Sequence, residues 1–131
     1  MIALDTNVLV RYLVEDDPKQ AAAAAESISR TVARGEQLFI PQIVLCELVW
    51  VLSFAYEFGR EEIATALRQV RRGAQVVIEA PDQVRDAIEA YAGGKGDFAD
   101  YLIAERAIAE GCTKVFTFDR ALHSDPRFDA P

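Results

Sequence analysis

The sequence predicts an α/β protein, a three-layer α/β/α sandwich around a mostly parallel sheet. Three observations predict it. Short apolar runs alternate with longer helical patterns along the whole chain, the signature of strands joined by crossover helices. The 131 residues contain no repeat and no long linker, so residues 1–131 are expected to form one domain. Hydrophobic residues make up 51% and charged residues 27%, a balance that supports a buried core without disulfide staples.

The elements follow in order. IALD (2–5) reads as a buried strand that ends on Asp5. Thr6 and Asn7 can cap a helix over VLVRYLVE. Pro18 suits the first turn of an alanine-rich helix, which Gly35 stops. LFI (38–40) is a short strand closed by Pro41, and a long helix over 42–57 ends before Gly59. REEIATALRQVRR is the next helix, stopped by Gly73, and QVVIEA is a third strand. Pro81 opens the helix DQVRDAIEAYA, ended by Gly93 and Gly94. A further helix starts at Asp97 and runs to Glu110 and Gly111. KVFTFD (114–119) is the final strand, ending on Asp119, and the tail is expected to be irregular or short-helical.

Several function classes drop out early. No apolar run reaches the ~20 residues that a membrane-spanning helix needs. Met1 leads straight into a strand pattern rather than a signal peptide, so a cytoplasmic location is expected. Cys46 and Cys112 lack paired spacing and read as reduced thiols. His123 is the single histidine, which rules out zinc sites of the HExxH kind, and no GxSxG elbow is present. The net charge of −7 argues against a generally basic nucleic-acid surface. Acidic residues gathered around a divalent cation would, however, invert the sign locally.

The carboxylates carry the chemistry. In open α/β sheets ligands bind beyond the carboxyl ends of the strands, where Asp5 and Asp119 are expected. Glu47 interrupts the apolar run IVLCELVWVL, a setting that predicts a buried carboxylate in need of a partner. Asp97 and Asp100, in D-F-A-D, resemble a capping box at a helix start, where the dipole favours negative charge by roughly 0.3–1 kcal/mol. Asp100 also heads the stripe Ile103, Ala104, Ala107 and Ile108, so it is expected to turn toward the sheet while Asp97 serves as the cap. Carboxylates gathered at one rim repel one another, and a hard divalent cation relieves them. Mg²⁺ or Mn²⁺, as one or two ions, suits all-oxygen donors.

Asp5-Thr6-Asn7-Val8-Leu9 near the N-terminus, the helical Glu47, D-F-A-D-Y-L-I-A at 97–104 and T-F-D at 117–119 together resemble a PIN-domain ribonuclease. The length resembles the stand-alone toxin type, VapC of the VapBC toxin–antitoxin modules. The resemblance implies a PIN-like parallel α/β/α fold and metal-dependent endonucleolytic cleavage of RNA, leaving 5′-phosphate and 3′-hydroxyl ends. It implies that Asp5, Glu47 and Asp100 are acidic metal-binding positions, with Asp119 a fourth and Asp97 an additional one. Thr6, Asn7 and Thr117 match polar residues that support the site. It also implies a homodimer and a VapB-type antitoxin that covers the groove. Two rivals share the acidic residues: a metal-dependent phosphohydrolase of another family, and a non-catalytic metal-binding interaction module. Asn7 stands where a DxD nucleophile pattern would need its second aspartate, which weighs against the first.

The remaining features are weighed beside that reading. Arg68, Arg71, Arg72, Lys95, Arg106, Arg120 and Arg127 are candidate RNA contacts, and Lys95 and Arg120 are favoured because they flank acidic motifs. Trp50, Phe54, Tyr56 and Phe58 are expected to pack in the core, with any exposed part suiting a partner. GGKG lacks P-loop spacing and reads as a turn with an adaptable backbone, and His123 reads as a surface residue.

Overall fold

The structure, a computed structural model, describes residues 1–131. Two compact units make up the chain, Met1–Pro81 and Asp82–Pro131.

The first unit contains β1 (Ile2–Ala3), α1 (Thr6–Leu13), α2 (Pro18–Ala33), β2 (Leu38–Ile40), α3 (Gln42–Phe54), α4 (Arg60–Arg71) and β3 (Val76–Ile78). Its strands pair in parallel in the order β1-β2-β3, with Ile2 opposite Leu38 and Leu38 opposite Val76. β1 is shorter than its apolar run, because Asp5 already caps α1. Pairing still continues past the end of β1: the Leu4 amide donates to the Phe39 carbonyl at 3.0 Å. Asp5 therefore leaves directly from the last ladder bond.

Parallel pairing demands helical crossovers, and the helices supply the core. From α3 come Val44, Leu45, Cys46, Leu48, Val49 and Leu52, all buried. From α4 come Ile63, Ala64, Ala66, Leu67 and Val70. Truncating a fully buried leucine of this set, such as Leu48 or Leu52, costs about 2–5 kcal/mol. Glu61 and Glu62 in the first turn of α4, with Arg68 and Arg71 in its last, complement its dipole. The α2 helix is anchored more thinly. Asp17 caps it by accepting from the Gln20 amide at 3.1 Å, and its buried residues are Ala21 and Ala24. Alanine leaves space, and a recess of about 610 Å³ opens beside Ala21, Ala25, Ile28 and the sheet residues Leu38 and Ile40. A polar junction offsets this thin packing. Arg11 donates to Gln20 (2.6 Å), Asp16 (3.1 Å) and Tyr56 (3.2 Å), and the Tyr56 hydroxyl donates to Asp16 at 2.8 Å. The strand β3 is bracketed by two left-handed residues, Gln75 (φ 59°) and Ala80 (φ 48°).

The second unit contains the body of α5 (Pro81–Gly93), then α6 (Phe98–Ala109), β4 (Val115–Phe116) and β5 (Phe128–Asp129). A short 3₁₀ turn, Arg120–Leu122, lies between the strands. Val84, Ala87, Ile88, Tyr91, Phe98, Tyr101, Leu102, Leu122 and Phe128 form its core. Tyr91 meets Phe98 edge-on, with centroids 6.1 Å apart and planes at 89°.

The tail departs from expectation. Its 3₁₀ turn fits a short-helical reading, but β5 was not anticipated. It pairs in parallel with β4, Val115 opposite Phe128 and Phe116 opposite Asp129. A charged clip holds it. Arg127 grips Asp125 through Nε (3.1 Å) and Nη2 (2.7 Å), and reaches Glu105 on α6 through Nη1 at 2.5 Å. Two residues of strand carry too little apolar pattern to be read, and the clip supplies what they lack.

Cys46 is buried and Cys112 exposed, both unbridged. No helix is long and apolar enough to cross a membrane. The expected aromatic core is only partly formed: Trp50 is 40% and Phe54 82% exposed, while Tyr56 and Phe58 meet edge-on. A helix of this composition has more apolar residues than one sheet face can cover, and these two lie on the uncovered side.

Candidate functional site

In the first unit, Asp5 and Glu47 are linked through Thr6. Asp5 is exposed and extended (φ −81°, ψ 160°), and its Oδ1 accepts from the Thr6 amide at 2.8 Å. Thr6 is buried, and its hydroxyl donates to Glu47 Oε1 at 3.3 Å. The expectation that Glu47 is buried is corrected. It is exposed, on the same open side of α3 as Ile43 and Trp50, four residues before it and three after. The run around it is apolar because six residues face inward, and the glutamate takes the one side that does not. Asn7 is exposed one residue further along α1.

In the second unit, Asp97 and Asp100 form the capping box of α6. The Asp97 amide donates to Asp100 Oδ2 at 3.2 Å, and the Asp100 amide donates back to the Asp97 carbonyl at 3.1 Å. Burial pushes the Asp100 carboxyl above the ordinary aspartate range, and the charges of Asp97 and Asp119 push it the same way. The hydrogen bond from the Asp97 amide offsets part of this. Asp100 does not head a buried stripe, however. Ile103 and Ile108 are exposed, and the buried side of α6 is Phe98, Tyr101, Leu102 and Ala104. Asp100 is half-buried at the margin of that side, and Glu105 is half-buried too and paired with Arg127.

Asp119 is not a strand residue. β4 ends at Phe116, although the Thr117 amide still donates to the Asp129 carbonyl at 2.9 Å. Asp119 caps the 3₁₀ turn, accepting from the Ala121 amide at 2.9 Å, while its own amide donates to the Thr117 hydroxyl at 3.1 Å. His123 is exposed, as expected of a surface residue, with Nε2 3.0 Å from the Thr117 carbonyl.

The charge balance is one-sided. None of Asp5, Glu47, Asp100 and Asp119 forms an ion pair with a lysine or arginine, so their charge is not offset within the chain. Every donor is a hard oxygen, the set that Mg²⁺ and Mn²⁺ favour. Neither unit by itself gathers three such side chains into a closed metal cage. Among the candidate cations, Lys95 and Arg120 are exposed and outside the ion pairs. Arg68 pairs with Glu61 (3.3 Å), Arg106 with Glu110 (2.9 Å), and Arg127 is consumed by the clip. Support beneath the acidic turn comes from residues that carry no charge. The glycines of GGKG are not simply adaptable: Gly96 is buried and its amide donates to the Tyr101 hydroxyl at 3.1 Å. The signal was present, in two glycines two residues apart before a capping aspartate.

Parallel strands with crossover helices, and acidic side chains where the chain leaves β1 and β4 and at the start of α6, define a class of protein. The PIN-domain profile matches residues 2–125, and the chain belongs to the PIN-domain family. Over 120 residues it is 30% identical to the VapC ribonuclease of Aquifex aeolicus (strain VF5), an alignment that covers 92% of this chain and 88% of that protein.

Proposed function

We propose that this protein is a metal-dependent endoribonuclease, the VapC-type toxin of a type II toxin–antitoxin module. Its RNA cleavage inhibits translation or growth, and its natural partner is a cognate VapB-type antitoxin. The observation that carries the reading is the near full-length likeness to a VapC ribonuclease, in a chain whose four acidic residues Asp5, Glu47, Asp100 and Asp119 lack basic partners.

Asp5, Glu47, Asp100 and Asp119 are the residues that would hold one or two Mg²⁺ or Mn²⁺ ions, with Asp97 a further candidate. Bound there, such an ion supplies an activated water and Lewis-acid relief of charge on the scissile phosphate. The chain's own residues prepare for this. Thr6 holds Glu47 through its hydroxyl, and the Thr6 amide holds Asp5. The Asp97 amide fixes Asp100, and Thr117 fixes the backbone of Asp119. Lys95 and Arg120, exposed beside the acidic motifs, offer charge to the RNA backbone. A carboxylate of the set can accept the proton of the attacking water, so no histidine base is needed. Homodimerisation and a cytoplasmic setting complete the proposal.

The test uses the purified protein with RNA, in Mg²⁺, Mn²⁺ or chelator. Endonucleolytic fragments carrying 5′-phosphates are expected with either metal and not with chelator. A small phosphoester is the control for the rival phosphohydrolase. Intact RNA under both metals, or equal cutting by wild type and D5N, overturns the reading.

A further inference from the structure

We infer that Gly96, Tyr101 and Leu122 form a positioning device that sets the Asp119 turn against the Asp97–Asp100 turn. The inference rests on the proposed metal-dependent cleavage and extends it to residues that carry no charge.

Gly96 immediately precedes Asp97. Its backbone is not in the left-handed region, so conformation does not demand a glycine there. Space does. A Cβ at Gly96 would overlap Leu122 Cδ2 and lie 3.3 Å from both Leu122 Cγ and the Tyr101 hydroxyl. Gly94 repeats the logic: a Cβ there would overlap the Tyr101 hydroxyl and lie 2.7 Å from the Ala90 carbonyl oxygen. Two residues without side chains thus form a slot for one hydroxyl group and one leucine tip.

Both occupants are tied to the acidic residues. Tyr101 follows Asp100 directly on α6, and its hydroxyl accepts from the buried Gly96 amide at 3.1 Å. Its ring is held edge-on against Phe128, with centroids 6.5 Å apart and planes at 84°. Leu122 is 1% exposed and lies three residues after Asp119. Its amide donates to the Asp119 carbonyl at 3.1 Å, and the Ala121 amide donates to the Asp119 carboxylate at 2.9 Å. Leu122 and Asp119 are therefore two ends of one stiff 3₁₀ turn. Seating Leu122 on Gly96 sets the height of Asp119 relative to Asp97 and Asp100. Close-packed interiors transmit small displacements, and outlying supports of a metal site commonly matter about 10–100-fold in affinity.

The experiment measures Mn²⁺ binding by the resonance signal of the free ion, and RNA cleavage as a function of Mn²⁺. The variants are Gly96→Ala, Leu122→Ala, the double variant and Tyr101→Phe, each checked for fold by circular dichroism. Gly96→Ala is expected to raise the Mn²⁺ half-saturation about tenfold, with most cleavage recovered at saturating Mn²⁺. Leu122→Ala removes the same seat from the other side and is expected to raise the half-saturation comparably, with the double variant adding little beyond either single change. Unchanged Mn²⁺ affinity in folded Gly96→Ala or in folded Leu122→Ala overturns the inference. Should Gly96→Ala fail to fold, Tyr101→Phe decides. It removes one hydrogen-bond acceptor and almost no volume, and an unshifted half-saturation sinks the proposal. An active wild type with indifferent variants overturns the positioning role alone. A wild type that neither binds Mn²⁺ nor cuts RNA overturns the functional reading as well.

Discussion

The unit from Met1 to Pro81 and the unit from Asp82 to Pro131 present carboxylates by different means. In the first, Asp5 and Glu47 stand exposed at the margin of a broad apolar core, and a single buried threonine joins them. Helix positions on a well-packed scaffold do the aiming. In the second, Asp97 caps α6, Asp100 lies in its first turn and Asp119 caps a 3₁₀ turn, held by backbone amides, close-packed glycines and the charged clip of Arg127. A carboxylate can be aimed by rigid elements or by dense local hydrogen bonding. The first route tolerates change around the acidic residue, and the second does not.

Four substitutions break or sharpen that contrast. Asp100→Asn is expected to have the largest effect, lowering RNA cleavage by at least about 100-fold. It should not destabilise the fold. Burial raises the Asp100 pKa, so its stabilising share is complete below the ordinary aspartate range and is lost as pH rises through the raised value. At neutral pH the ionised carboxylate costs stability, and the metal-free variant should melt slightly above wild type. That advantage should vanish in acid, and a lower melting temperature at neutral pH would contradict the assignment.

Arg127→Ala comes next. It leaves Glu105 and Asp125 largely buried without their cation, at about 2 kcal/mol by chemical unfolding. The arginine's hydrogen bonds hold the Asp125 carboxyl below its usual range, so this stability is present above that range and is lost as pH falls through the depressed value. Wild type and variant should therefore converge in strong acid. Thr6→Val is smaller, about 1 kcal/mol and a several-fold loss of cleavage, with Thr6→Ser retaining both; equal loss in the two variants would deny the hydroxyl its role. Tyr56→Phe should change least, because the Arg11–Asp16–Tyr56 junction is open to solvent. Its readout is faster amide exchange in α2 with unchanged cleavage.

The same contrast explains what could be read from the sequence. Helices α3, α4 and α6 were legible because long apolar or capped patterns fix them, with ends within a few residues of expectation. Strand pairing in parallel followed from the alternation of elements. Asp5 and Asp119 stood out as expected strand ends, and Glu47 and Asp100 as carboxylates set against apolar patterns. Their surroundings were less legible. Which side of α3 stays open depends on what the sheet can cover, and this moved Glu47 from the expected interior to the surface. The stripe drawn from Asp100 failed because Ile103 and Ile108 are apolar without being buried, and Tyr101 and Leu102 point inward instead. β5 escaped because its two residues, one buried phenylalanine and one aspartate, are too few to show a strand pattern. The glycine slot escaped because absence of a side chain has no periodicity.

The bracket around β3 has a consequence for misassembly. β3 lies at the edge of its sheet, and its sequence, VVI, is strongly β-forming. Such an edge invites another chain to add a strand. Gln75 and Ala80 turn the backbone left-handed at either end, so the ladder stops after three residues. The local strain of two non-glycine residues thus sets a length limit on the template, and it protects the unit from edge-to-edge growth at the point where its composition alone would encourage it.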